Sequence, residues 1–162
     1  MHNGYIIHNN SARMNQKINE IIWRIKKKND TLESLVAYIT KFSKKFLENT
    51  PIQLLISKHE EIAINIEKFI PSERRRIIYL ACKEIINNTV KHAEASEIKL
   101  NFSLLDNEFS IIISDNGKGF EPLTANNGNG LKNIKDNMEY ISANYHLETS
   151  EKGTIHKIII KI

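Results

Sequence analysis

Between Lys91 and Ile98 the spacing of apolar residues changes from about 3.6 to two. Before that point Ile78, Ala81, Cys82, Ile85, Ile86 and Thr89 form one stripe of a helix that opens at Pro71-Ser72, with Ser72 expected as its N-cap. After it Ile98, Leu100, Phe102 and Leu104 alternate with polar residues, Asp106-Asn107 turns, and Phe109 to Ile113 returns as the second arm of a hairpin. A one-sided helix followed directly by one-sided strands must bury the two faces against each other, which requires a layered α/β packing.

The rest of the chain extends this pattern. Met14, Ile18, Ile21, Ile22 and Ile25 predict an amphipathic helix from Arg13 to Lys28. Asp30 and Glu33 have the spacing of a capping box ahead of Leu32, Leu35, Val36, Ile39, Phe42 and Phe46, so a second helix should run to about Glu48. Ile52 to Ile56 reads as extended, and the polar stretch through Lys68 carries no clear period. Leu131, Ile134, Met138 and Ile141 predict a helix, Tyr145, Leu147 and Thr149 a strand, and Thr154 to Ile162 the closing strand of a second hairpin. The expected fold is a two-layer α/β sandwich, a mixed and mostly antiparallel sheet covered by helices on one face. Residues 1–29 stand apart as a helix and linker, and 30–162 form the compact domain.

The chain has 162 residues, 41% of them hydrophobic and 26% charged, enough for one cored domain and unlike disordered or fibrous sequences. A single cysteine, Cys82, permits no internal disulfide and is expected as a core thiol, which points to the reducing cytoplasm. No run approaches the roughly 20 apolar residues of a membrane span, so membrane anchoring would belong to a parent receptor. The net charge of +4 resides partly in Lys26-Lys27-Lys28 and Arg74-Arg75-Arg76, without interleaved aromatics. These runs read as solvated helix faces or a docking surface for an acidic protein, and no nucleic-acid partner is expected.

Four clusters carry chemistry. Glu84, Asn88 and Lys91, at i, i+4 and i+7, share one helical face away from the apolar stripe. Asp115-Asn116-Gly117-Lys118-Gly119 follows the strand Ile111 to Ile113; a carboxylate fixed at a strand end can accept from an amino group on a planar ligand. Asn127-Gly128-Asn129-Gly130-Leu131 runs into a helix, whose free N–H groups suit a polyphosphate. Gly153-Thr154 enters the last strand. Each cluster alone is equally compatible with surface decoration or an ordinary turn; their joint order is what constrains function.

In that order the residues resemble the ATP-binding domain shared by gyrase, the ninety-kilodalton heat-shock chaperone, histidine kinases and MutL. Glu84-x-x-x-Asn88-x-x-Lys91-His92 is similar to the N box, Asp115-x-Gly117-x-Gly119 and Gly128-x-Gly130-Leu131 to the two glycine boxes, and Gly153-Thr154 to the terminal motif. Lys91-His92-Ala93, the short loop from Phe120 to Gly128, and the segments Glu20-Ile21-Ile22-Trp23 and Asn29 to Glu33 narrow the resemblance to sensor histidine kinases, from about Met14 to the C-terminus. The resemblance implies a Bergerat-type ATP-binding fold, with residues 1–29 as the end of a dimerisation helix. It further implies that Asp115 recognises the adenine amino group with Thr154 in support, and that Asn88 supplies an oxygen to Mg²⁺. Glu84 would orient or deprotonate the attacking group, and Lys91 would neutralise phosphate charge. Gly117, Gly119, Gly128 and Gly130, with Leu131, would form and hinge the lid, and His92 would line the site or cap the helix.

One element of the family pattern is missing: none of the six histidines lies on a first dimerisation helix ahead of an acidic residue. The resemblance therefore implies a catalytic fragment that binds ATP and Mg²⁺ but autophosphorylates little in isolation. Its partners would be a histidine-bearing dimerisation domain and a response regulator receiver domain. The stripe Met14, Ile18, Ile21, Ile22 and Ile25 would be buried by another helix, which predicts weak homodimerisation. Two other readings stand beside this one: a serine kinase of the anti-sigma-factor type, and a non-catalytic interaction module that keeps the fold.

Overall fold

The computed structural model describes residues 18, 30–58, 67–120 and 129–162. Of the expected helix from 13 to 28 only the exposed Ile18 falls among them, and the rest of that expectation, like Gly128, lies outside the described residues.

The described chain forms α1 (Leu32–Leu47), β1 (Gln53–Lys58), α2 (Ser72–Asn88), β2 (Glu97–Leu105), β3 (Glu108–Asp115), α3 (Asn129–Tyr140), β4 (Asn144–Ser150) and β5 (Gly153–Lys161). The five strands lie in the order β1-β2-β3-β5-β4, with β1 parallel to β2 and every other pair antiparallel. The mixed, mostly antiparallel sheet expected from the alternation is thus present. Its inward face presents Leu100 opposite Ile113, Phe102 opposite Ile111 and Leu104 opposite Phe109. Against it pack Ile78, Cys82, Ile85 and Ile86 of α2, Leu35 and Ile39 of α1, and Ile134 and Met138 of α3. The Asp106-Asn107 turn has positive φ at both residues, the twist that joins right-handed strands through two residues.

Three local expectations are corrected. Thr31, not Asp30, caps α1: its hydroxyl accepts from the Ser34 N–H at 3.2 Å. Asp30 is occupied elsewhere, in an ion pair with the fully buried Arg75. α2 starts one residue ahead of expectation, with Pro71 at the cap position and Ser72 inside the first turn. The arginine run is also no solvated face. Arg75 is buried, and burial lowers its pKa against the opposing pull of Asp30. Arg74 donates to the Ile141 carbonyl at 2.9 Å, closing the C-terminal end of α3 onto α2. Both arginines tie helices together because a carboxylate and a helix-end carbonyl lie within their reach.

Candidate active site

A cavity of about 640 Å³ opens between the C-terminal half of α2, the end of β3, the start of α3 and the start of β5. From α2 come Glu84 and Asn88, both half-buried, one turn apart on the face turned from the core.

Lys91 was expected on that face but is exposed and absent from the cavity lining, where His92 stands instead. The reason is a change of helical pitch. Residues Thr89–Ala93 form a π-helical turn, closed by Glu94 in a left-handed conformation. A π turn bonds i to i+5 and so advances less per residue than an α-helix. The residue eight beyond Glu84 therefore comes round to its face, and the residue seven beyond leaves it. Nothing in the period of the sequence signals this. The turn is held by its surroundings: the Lys118 N–H donates to the Ala93 carbonyl at 2.9 Å, and a Cβ on Gly117 would overlap that same carbonyl.

Asp115 ends β3 with both carboxylate oxygens engaged. Oδ1 accepts from the Gly117 N–H at 2.9 Å and Oδ2 from the Thr89 hydroxyl at 3.1 Å. The Thr89 hydroxyl also lies 3.3 Å from the Ile85 carbonyl, but its single hydrogen favours the nearer, charged acceptor. Each oxygen keeps acceptor capacity for a further donor. Asn116 locks the strand end from outside, accepting from the N–H groups of Ser96 and Glu97 at 2.9 Å each.

Thr154 is buried on β5 opposite Asp115 and lines the cavity beside it. The preceding Gly153 has φ +126°, and a Cβ there would run into the Asp115 carbonyl, so the Gly-Thr pair lets β5 close on the carboxylate-bearing strand. Gly130 and Leu131, at the start of α3, form the facing wall, where a Cβ on Gly130 would come 2.7 Å from Glu84 Oε1. Gly119 lines the cavity and Gly117 lies behind it.

The structure also places Thr89, Lys118, Phe120 and His156 on the wall, which sequence reasoning gave no role. Lys118 Nζ pairs with Glu94 at 2.6 Å. Phe120 is held by Thr149, whose hydroxyl accepts from its N–H at 2.9 Å. His156 is buried, and its Nδ1 lies 2.7 Å from the Tyr145 hydroxyl; burial holds its pKa down at about 4 and pushes that of Tyr145 up. Cys82 is buried in the core, its thiol pushed up to about 12 by burial and so inert at neutral pH. Among the described residues no cluster of three His, Cys, Asp or Glu could hold a metal ion, and no helix is long and apolar enough to cross a membrane.

Comparison with known proteins gives the family and the fold. Signal transduction histidine-protein kinase/phosphatase DegS of Brevibacillus brevis is 29% identical over 130 residues, 79% of this chain and 32% of that protein. Sensor histidine kinase DesK of Bacillus subtilis is 32% identical over 80 residues, 48% of this chain and 21% of that one. The chain thus spans about a third or less of the length of these relatives. Among solved structures, the histidine kinase domain of the blue-light activated histidine kinase of Erythrobacter litoralis EL346 superposes with a TM-score of 0.66 at 19% identity, over 82% of this chain and 64% of that one, a likeness of fold. The model of the histidine kinase-like ATPase domain family matches residues 55–152, which include α2, the strand-end carboxylate Asp115 and the glycines Gly117, Gly119 and Gly130, and stop just ahead of Gly153-Thr154. With more than half of its length matched in this way, the chain belongs to the histidine kinase-like ATPase domain family.

Proposed function

We propose that the cavity binds ATP with Mg²⁺ and that the chain is the catalytic part of a sensor histidine kinase, passing the γ-phosphate to a histidine on a dimerisation domain for relay to a response regulator. The observation that carries this reading is the convergence, in one cavity, of Glu84 and Asn88 with Asp115, Gly130, Leu131 and Thr154. These residues come from four separate elements. A volume of about 640 Å³ lies within the usual range of small-molecule sites, roughly 300 to 1,000 Å³.

In this reading Asp115 accepts a hydrogen bond from the adenine amino group, and the buried Thr154 supports the same edge of the base. The start of α3 turns its free N–H groups and positive dipole end toward the phosphates, with Gly130 leaving room for the Glu84 carboxylate. Asn88 offers its amide oxygen to Mg²⁺, a hard cation that prefers such donors and keeps several waters. When bound, Mg²⁺ neutralises charge on the phosphate oxygens. Glu84 accepts a proton or hydrogen bond from the incoming imidazole, orienting it for attack. His92 and Lys118, both at the cavity wall, are the side chains with N–H donors for phosphate oxygens, a role for which Lys91, exposed and off the lining, is poorly positioned. Residues 1–29 would be the end of the dimerisation helix.

Isothermal titration of the chain with a non-hydrolysable ATP analogue, with and without Mg²⁺, tests the reading. Saturable one-to-one binding strengthened by Mg²⁺ is expected; no binding at millimolar ligand by folded protein would refute it. Asn88→Ala should abolish the Mg²⁺ dependence, and retained dependence would remove Asn88 from its role.

A further inference from the structure

Among the described residues, His156 is the one buried titratable side chain on the cavity wall, and the mechanism above does not use it. It stands on β5 two residues beyond Thr154, on the same inward face, opposite Ile113 of β3 and Leu147 of β4. Farther along that face β5 carries Ile158 and Ile160, both buried. A polar ring in this row costs desolvation that an aliphatic residue would not.

The ring is also oriented. The Tyr145 hydroxyl lies 2.7 Å from Nδ1, and the two rings are inclined by 29° with centroids 6.0 Å apart. Burial keeps the phenol protonated and the imidazole neutral, and of the two possible directions the stronger has the phenol O–H, the better donor, meeting the imidazole nitrogen, the better acceptor: Tyr145 donates and Nδ1 accepts. A neutral imidazole that accepts at Nδ1 carries its proton on Nε2. With Nδ1 turned to Tyr145, the polar group remaining for the cavity is an N–H donor.

We propose that His156 is a base-selecting residue of this cavity, its Nε2–H donating, directly or through one water, to N1 or N7 of adenine, the ring nitrogens that flank the amino group. The assignment rests on the nucleotide reading above. It gives the base edge two opposite requirements: Asp115, an acceptor, demands an amino group, and His156, a donor, demands an unprotonated ring nitrogen. Guanine presents a carbonyl to the first and, at N1, a hydrogen to the second. Tyr145 acts as a positioning residue by fixing the tautomer.

The test is competition binding of ADP, 1-deaza-ADP and 7-deaza-ADP, each with Mg²⁺, to the full chain and to His156→Phe and Tyr145→Phe. In the wild type one deaza analogue should bind about tenfold more weakly than ADP, the loss of one hydrogen bond. His156→Phe should bind ADP about tenfold more weakly and no longer distinguish that analogue. Tyr145→Phe keeps the imidazole, so it should lose part of the discrimination while ¹⁵N shifts of the ring report a mixture of tautomers. Equal binding of all three ligands by the wild type, or undiminished discrimination in either variant, overturns the assignment. If His156→Phe does not fold, the wild-type comparison and Tyr145→Phe decide. Failure of the wild type to bind ADP refutes the nucleotide reading and this assignment with it, whereas ADP binding without discrimination refutes this assignment alone.

Discussion

Asp115, Thr154 and His156 enter the cavity from β3 and β5, strands paired on both sides, whereas Glu84, Asn88 and His92 reach it from one helix and its terminal π turn. On the sheet side Thr154 and His156 are buried and the Asp115 carboxylate is held by two donors. On the helix side Glu84 and Asn88 are half-buried and His92 is exposed. The difference matches the two tasks proposed for this cavity. Recognition of a planar base gains from groups whose positions are set by backbone pairing. Phosphoryl transfer requires side chains that a second substrate can reach.

Two glycines expose this contrast most sharply, and the first should give the largest effect. Gly153→Val places a branched side chain at φ +126° against the Asp115 carbonyl, where the nearest atoms are all backbone of Asp115 and Asn116 and cannot swing aside. It should cost about 3 to 5 kcal/mol of stability in urea denaturation. A loss under about 1 kcal/mol would show the sheet wall to be as yielding as the helix wall.

His156 gives the next effect, through pH. Its pKa falls from the usual 6.5 to about 4 on folding, so the folded state disfavours the charged ring. This contribution to stability is complete above pH 6.5, is lost as pH falls through that window, and is constant below about 4. Its size is about 3 kcal/mol. Between pH 7 and 4 the wild type should therefore lose about 3 kcal/mol more than His156→Phe, with carboxylate titration common to both. Parallel pH profiles would place the imidazole in contact with water.

Asp115→Asn should weaken ATP-analogue binding about ten- to a hundredfold, roughly 1.5 to 3 kcal/mol for a hydrogen bond to a charged acceptor. Stability should change less, because Asn can still accept from the Gly117 N–H and Thr89 retains the Ile85 carbonyl. An unchanged affinity in calorimetry would take the base away from this strand end.

The smallest stability effect belongs to the helix wall. In Gly130→Ala the new methyl meets the far end of the Glu84 side chain, which can swing aside, and alanine favours the helix. Thermal unfolding should shift by less than the equivalent of about 1 kcal/mol in either direction. Phosphoryl transfer, measured with a histidine-bearing dimerisation domain, should nevertheless fall because the carboxylate is displaced. Unchanged transfer would free Glu84 from its proposed role.

Much of this architecture was legible without coordinates. The change from a helical period to strict alternation places α2 against β2 and β3, because burial of one face demands only the local spacing of apolar residues. The order of Glu84, Asn88, Asp115, Gly130 and Gly153-Thr154 likewise carried the family, since all but Glu84, one turn inside α2, sit where an element begins or ends. Tertiary structure alone decided the rest. The π turn that brings His92 to the cavity and turns Lys91 away is stabilised by Lys118 and Gly117, distant in sequence from Ala93. Asp30 serves Arg75 rather than its own helix, and the ring of His156 is met by the Tyr145 hydroxyl on the neighbouring strand. Local spacing determines which face of an element is buried; which buried or half-buried polar group finds which partner depends on contacts that exist only once the layers have closed.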